Sequence, residues 1–155
     1  MSKASRTAAD HTPHSARRAA RLAAVQALYQ LDMNEGVAAA VVSEFVKHRL
    51  EPHADQPLFS DIVGGVAARV VEVDDVIGGA LVEGWTVARL EMVLRAILRA
   101  GTYELLARTD VPPKVAISEY VEIAHAFFSG KEPGLVNGVL NRLAQERRPG
   151  ELAAR

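Results

Sequence analysis

From Leu90 to Leu105 the residues Leu90, Val93, Leu94, Ile97, Leu98, Gly101 and Leu105 recur at spacings of three and four over several turns. Only a helix places such a series on one side, so this segment must bury a long apolar stripe against partners of similar length. The same period returns in Leu22, Val25, Leu28 and Tyr29, in Ile62, Val63, Val66, Ala67, Val70 and Val73, and in Val136, Val139, Leu140 and Leu143. No segment alternates with period two between hairpin dipeptides. A chain of 155 residues is long enough for one core and short for two. The expected fold is therefore all-α, a compact single-domain bundle of about six or seven helices around the Leu90–Leu105 segment.

Punctuation residues set the expected boundaries. Residues 1–14 carry no periodic apolar residues and read as a mobile basic tail. Ser15 is the expected N-cap of a first helix that ends near Asn34 and Gly36. A second helix is expected from Val37 to Arg49, with Pro52 and Pro57 in the loop that follows. The β-branched stretch after Ser60 is read as one helix through Val73, held helical by burial, and the Gly78-Gly79 pair and Gly84 as loosening the chain. Pro112-Pro113 stops the central helix and opens another, expected to run from Pro113 to Phe127. A last helix spans Leu135 to Arg147, which gives a folded unit over 15–149 and a C-terminal tail over 150–155. Glu91, Arg95 and Arg99 stand at successive i,i+4 positions and read as an outward charged row worth about 0.3–0.5 kcal/mol per pair.

Several chemistries are missing. Gly130-Lys131 is followed by Glu132 and Pro133 rather than by Ser or Thr, so no Walker-type phosphate loop is present. His11, His14, His48, His53 and His125 lack the i,i+4 spacing of a helical metal pair. Ser118 and His125 are about 10 Å apart along one helix, too far for a nucleophile and its base. Asp74 and Asp75 are neighbours that point in different directions and read as solvated charges. With no Cys there is no thiolate or disulfide chemistry. These observations name no catalytic residue, metal site or cofactor and favour a binding protein over an enzyme. No apolar run approaches the roughly 18 residues of a membrane span, so a soluble, cytoplasmic protein is expected.

The net charge of −1 conceals an asymmetry. Residues 1–21 hold Lys3, Arg6, Arg17, Arg18 and Arg21 against Asp10, a balance of +4 that leaves −5 for the remainder. A basic end on an acidic body points to a polyanion bound at one edge. Arg17, Arg18 and Arg21 lie within two turns at the start of a helix, where positive charge opposes the macrodipole. Guanidinium groups are permanently charged, bidentate towards phosphate and able to stack on bases.

Two separated blocks carry a resemblance. Arg17-Arg18-Ala-Ala-Arg21-Leu-Ala-Ala-Val25-Gln26-Ala-Leu28-Tyr29, followed later by DVPPKVAISEYVEIAHAFFSGKEPGLVNGVLN from Asp110 to Asn141, resembles the NusB family of transcription antitermination factors over about residues 15–149. The resemblance implies a non-enzymatic helical protein that binds boxA-like single-stranded RNA of ribosomal RNA operons. It would do so with the small-subunit ribosomal protein that acts as NusE, and through that complex act indirectly on the transcribing RNA polymerase.

By position in the motifs, Arg17, Arg18 and Arg21 would meet RNA phosphates and bases, joined by Phe127, Lys131 and Asn137. Phe127 is either core or a stacking platform, and Asn137 either meets a base edge or ties down the preceding loop. Tyr29 and Glu91 match positions of the ribosomal-protein face, although Tyr29 also fits the apolar stripe. The chain departs from the family at Leu135, where Phe is common, at Phe128, where Gly is common, and at Ser118, where Asn is usual. Two rivals stand beside this reading. One is the NusB-like accessory domain of an RNA cytosine methyltransferase, for whose catalytic domain residues 150–155 leave no room. The other is a helical adaptor that binds protein alone. On the RNA reading, replacing all three arginines by Ala is expected to abolish binding without disturbing the fold, and three phosphate contacts imply a salt slope of roughly −2.

Overall fold

The computed structural model describes residues 12–153. Its elements, in order, are α1 (Pro13–Asn34), α2 (Ala38–Glu44), α3 (Gln56–Ala68), α4 (Val70–Ala80), α5 (Met92–Ala107), α6 (Pro113–Phe127), α7 (Glu132–Arg147) and α8 (Pro149–Ala153). A π-helical turn over Phe45–Arg49 extends α2, and a 3₁₀ turn over Val87–Arg89 precedes α5. The fold is all-α, with no strand among the described residues.

The first helix starts earlier than Ser15. Thr12 is its N-cap, with Thr12 Oγ1 accepting from the Ser15 N–H at 3.1 Å, and Pro13 fills the first position, where a missing N–H costs nothing. Pro13 and His14 thus belong to the helix, and the remainder of the expected tail, residues 1–11, lies outside the described residues. At the other end Glu35 turns into the left-handed region and donates to the Leu31 carbonyl at 2.8 Å.

Pro57 does not stand in a loop. It sits in the first turn of α3, whose N-cap Asp55 accepts from the Leu58 N–H at 3.0 Å, so this helix starts four residues before Ser60. Nor does one helix run through Val73: the chain breaks at Arg69, which leaves helical geometry and pairs with Glu72 in the next turn. Gly78 and Gly79 stay within α4, and the reversal falls instead at Gly84, the one described glycine with positive φ. The end of the expected second helix is π-helical, with the Leu50 N–H bonded to the Phe45 carbonyl at 2.6 Å. There Phe45 stacks on Phe59 at 5.6 Å, and the Arg49 guanidinium lies over the Phe45 ring at 4.1 Å.

α5 is the central helix. It packs against α1, α3, α4, α6 and α7, and its stripe joins a single core with Val25, Leu28, Phe59, Ile62, Ile77, Tyr120, Val136 and Leu140. Two glycines permit this closeness. A Cβ on Gly101 would lie 2.9 Å from Leu140, and one on Gly65 only 2.1 Å from the Tyr103 ring. Arg148 closes the bundle: nearly buried, it donates to the carbonyls of Leu105, Thr109 and Val111 and pairs with Glu151, which draws the expected C-terminal tail into the short helix α8. No helix among the described residues is long and apolar enough to cross a membrane.

Candidate nucleic-acid interface

The three N-terminal arginines meet three environments. Arg17, in the second turn of α1, is exposed and has no hydrogen-bond or ion-pair partner among the described residues. Arg18 is half-exposed and grips Glu119 of α6 with two parallel bonds, Nε at 3.1 Å and Nη2 at 2.9 Å. That pairing orients the guanidinium and leaves its Nη1 donors without an acceptor among the described residues.

Arg21 is only 1% exposed. Its Nε and Nη2 donate to the two oxygens of the wholly buried Glu104 at 2.7 and 3.0 Å, and the Tyr120 hydroxyl donates to the same carboxylate at 2.7 Å. The expectation that the three guanidinium groups project together is therefore corrected. One turn along α1 carries a side chain about 5.4 Å, from the rim of the bundle into its interior, where a charge persists only if paired. Arg21 holds α1 to α5 and α6 and is closed to a ligand in this conformation.

The two carboxylates connect the network. Glu119, itself nearly buried, lies 3.8 Å from Arg21 Nη1 and 3.7 Å from His14 Nε2 as well as under the Arg18 fork. Burial alone would raise its pKa, but the hydrogen bonds and charge of Arg18, with Arg21 and His14 behind them, hold it below the usual carboxylate range. Burial also opposes the charge on Arg21, and the bonds to Glu104 outweigh it. Complete burial, then the Glu104 charge, push the Tyr120 hydroxyl far above its ordinary value, so it stays protonated and donates.

Tyr29 and Phe127 come together. They line one groove of about 470 Å³ with Gln26, Met33, Arg49 and Val93. Phe127 is 43% exposed and Met33 50%, so both present open apolar surface, whereas Tyr29 is partly buried against the core. The groove joins a residue expected to meet RNA with one expected to meet protein. Arg18 of α1 pairs with Glu119 of α6, and Gln26 and Phe127, further along the same two helices, line this one groove.

Glu91 and its row are also corrected. Glu91 is the N-cap of α5, accepting at Oε1 from the N–H groups of Val93 and Leu94 at 2.8 and 3.1 Å, and its side chain is exposed. Arg95 turns away from it to Asp32 and to the carbonyls of Val87, Ala88 and Leu90. Arg99 pairs bidentately with Asp74, which is thus not a free solvated charge. These contacts link α5 to α1 and α4 rather than decorating one helix.

Asn137 and Lys131 are both exposed, Lys131 directly before α7 and Asn137 in its second turn, where Asn137 Oδ1 accepts from Asn141 Nδ2 at 3.0 Å. Leu135 and Phe128 pack partly against the core. Sequence reasoning missed Glu104 and Glu119, the residues that sort the arginines. No group of His, Asp or Glu among the described residues is arranged to hold a metal ion.

The model of the NusB family matches residues 18–145. The transcription antitermination protein NusB of Sphingopyxis alaskensis is 49% identical over 140 residues, covering 85% of this chain and 94% of that protein. Among solved structures, T. maritima NusB superposes with a TM-score of 0.77 at 31% identity, over 93% of this chain and 99% of that one. A chain in the crystal structure of a plectonemic RNA supercoil superposes with a TM-score of 0.74 at 25% identity, over 83% of this chain and 94% of that one.

Proposed function

The chain belongs to the NusB family, and we propose that it is a transcription antitermination factor that binds boxA-like single-stranded RNA together with the ribosomal protein acting as NusE. The observation that carries the RNA half is the state of Arg17 and Arg18. One is unpaired among the described residues, and the other is clamped by Glu119 with Nη1 donors to spare. A clamped guanidinium loses less side-chain freedom when it meets a phosphate. Arg21 serves indirectly by fixing the helix that presents the other two.

The groove of Tyr29, Met33 and Phe127 takes the protein partner, with the exposed Glu91 carboxylate available to a basic surface. Phe127 stands where the two partners would meet, and Lys131 and Asn137 extend the RNA path along the start of α7.

The test is fluorescence anisotropy of a labelled boxA-like RNA, with and without the ribosomal partner, against a scrambled RNA. Wild type should prefer the boxA-like strand and tighten when the partner is added. Two phosphate contacts predict a salt slope of about −1.4, and an Arg17→Ala/Arg18→Ala variant should keep the wild-type fold, at lower stability because Glu119 loses its fork, while losing most of that slope. An unchanged affinity and slope in this variant would sink the assignment.

A further inference from the structure

A second groove, of about 340 Å³, lies between α6 and α7 and includes neither the exposed arginines nor Tyr29. Ile117 and Val121 supply its apolar lining, Ser118 and His125 come from α6, and Asn137 and Asn141 from α7. Asn141 Nδ2 donates to both the side-chain and the main-chain oxygen of Asn137, each at 3.0 Å. Asn141 then keeps its Oδ1 as an acceptor and Asn137 its amide donors, so the pair offers donor and acceptor side by side. A nucleobase edge presents the complement of that pattern.

Two further features narrow the ligand. Glu122 and Lys114, both from α6, line the groove, so it carries one charge of each sign, which disfavours a phosphate there but not a neutral base. Beside Asn137, a Cβ on Gly134 or Gly138 would meet nothing within 4 Å, and neither has positive φ. The fold requires neither glycine, although both weaken a helix, and neither puts a side chain beside Asn137. The position suits the same strand: Ser118 lines this groove and its neighbour Glu119 holds Arg18, so one helix width, about 10 Å, separates the two sites.

We propose that the α6–α7 groove takes one unstacked base of the single-stranded RNA whose phosphates Arg17 and Arg18 hold, and reads its edge through Asn137 and Asn141. This rests on the RNA-binding reading above. Two variants test it: Asn141→Ala, which removes the acceptor, and Ser118→Leu, which fills the groove from an exposed position. Each is titrated with labelled boxA-like and scrambled RNA at several salt concentrations, with thermal melts by circular dichroism to check folding. The expected result is that the affinity ratio between the two RNAs falls about 5- to 100-fold in both variants while the salt slope stays at its wild-type value. Wild-type discrimination retained by both variants overturns the groove assignment and leaves the arginine site intact. A uniform loss on both RNAs with a smaller slope would mean a phosphate contact and overturns base reading as well. Wild type that binds without discriminating overturns it too, whereas wild type that binds neither RNA overturns the RNA reading on which it stands.

Discussion

Replacing Arg21 by Ala should damage folding rather than recognition. The substitution removes two charge-assisted bonds of 2.7 and 3.0 Å and leaves the Glu104 carboxylate, fully buried, with only the Tyr120 hydroxyl for a partner. Breaking a buried pair from one side costs about 3–5 kcal/mol, because the surviving charge is desolvated and uncompensated. Against a total of about 5–15 kcal/mol for a domain, that is a large fraction. With a urea m-value of about 2 kcal/mol/M, the unfolding midpoint should fall by about 2 M.

The mechanism has its own control. An Arg21→Met/Glu104→Leu double variant removes both charges and keeps most of the volume, so it should lose far less than the two single changes together. Its residual cost, about 1–3 kcal/mol, is that of the Tyr120 hydroxyl left without an acceptor, and adding Tyr120→Phe should recover it. Under conditions where Arg21→Ala is folded, its RNA salt slope should match wild type. A variant with the wild-type urea midpoint and a slope reduced by about 0.7 would refute this reasoning and place Arg21 on the RNA. The triple arginine variant, expected from sequence to fold normally, should instead be destabilised by its Arg21 component.

Gly65→Ala should cost about 1–3 kcal/mol, because its Cβ would sit 2.1 Å from the Tyr103 ring, whereas Gly64→Ala, which meets nothing within 4 Å, should be neutral or stabilising by up to about 1 kcal/mol in the same denaturation assay. Glu91→Gln keeps an acceptor for the Val93 and Leu94 N–H groups, so it should weaken binding of a basic partner in calorimetry with little loss of stability; Glu91→Ala should lose about 1 kcal/mol of stability as well. Glu119 titrates below its usual 4.5 in the folded state, so its contribution is fully present above about pH 4.5 and is lost as pH falls through the folded value. Urea midpoints of Glu119→Gln should therefore be lower than wild type at pH 7, with the gap narrowing as pH falls below the usual carboxylate range, and parallel curves would refute the linkage.

Apolar periodicity located α1, α5, α6 and α7 because each buries a stripe, but it merged α3 with α4; the two blocks of residue types in order located the family. Boundaries failed where capping decided them: Thr12 with Pro13, Asp55 with Pro57, and Glu91 all start helices at residues that a search for apolar spacing passes over. The break at Arg69 was invisible for a different reason, since the apolar series continues across it.

The site was half legible, and Arg21 explains why. It stands four residues before Val25 and seven before Leu28, on the apolar stripe of α1, while Glu104 lies among the buried residues of α5. A charge on an apolar stripe signals a buried pair, but its partner is 83 residues away, and only the packing of α1 on α5 identifies it. Read along the chain, Arg17, Arg18 and Arg21 form one ligand-binding motif. In the fold they form a gradient from solvent to core, in which the buried member fixes the helix, Glu119 orients the middle one and the first remains free among the described residues. An arginine-rich helix start can thus be written with several charges while far fewer reach a ligand, and the salt slope of binding measures how many do.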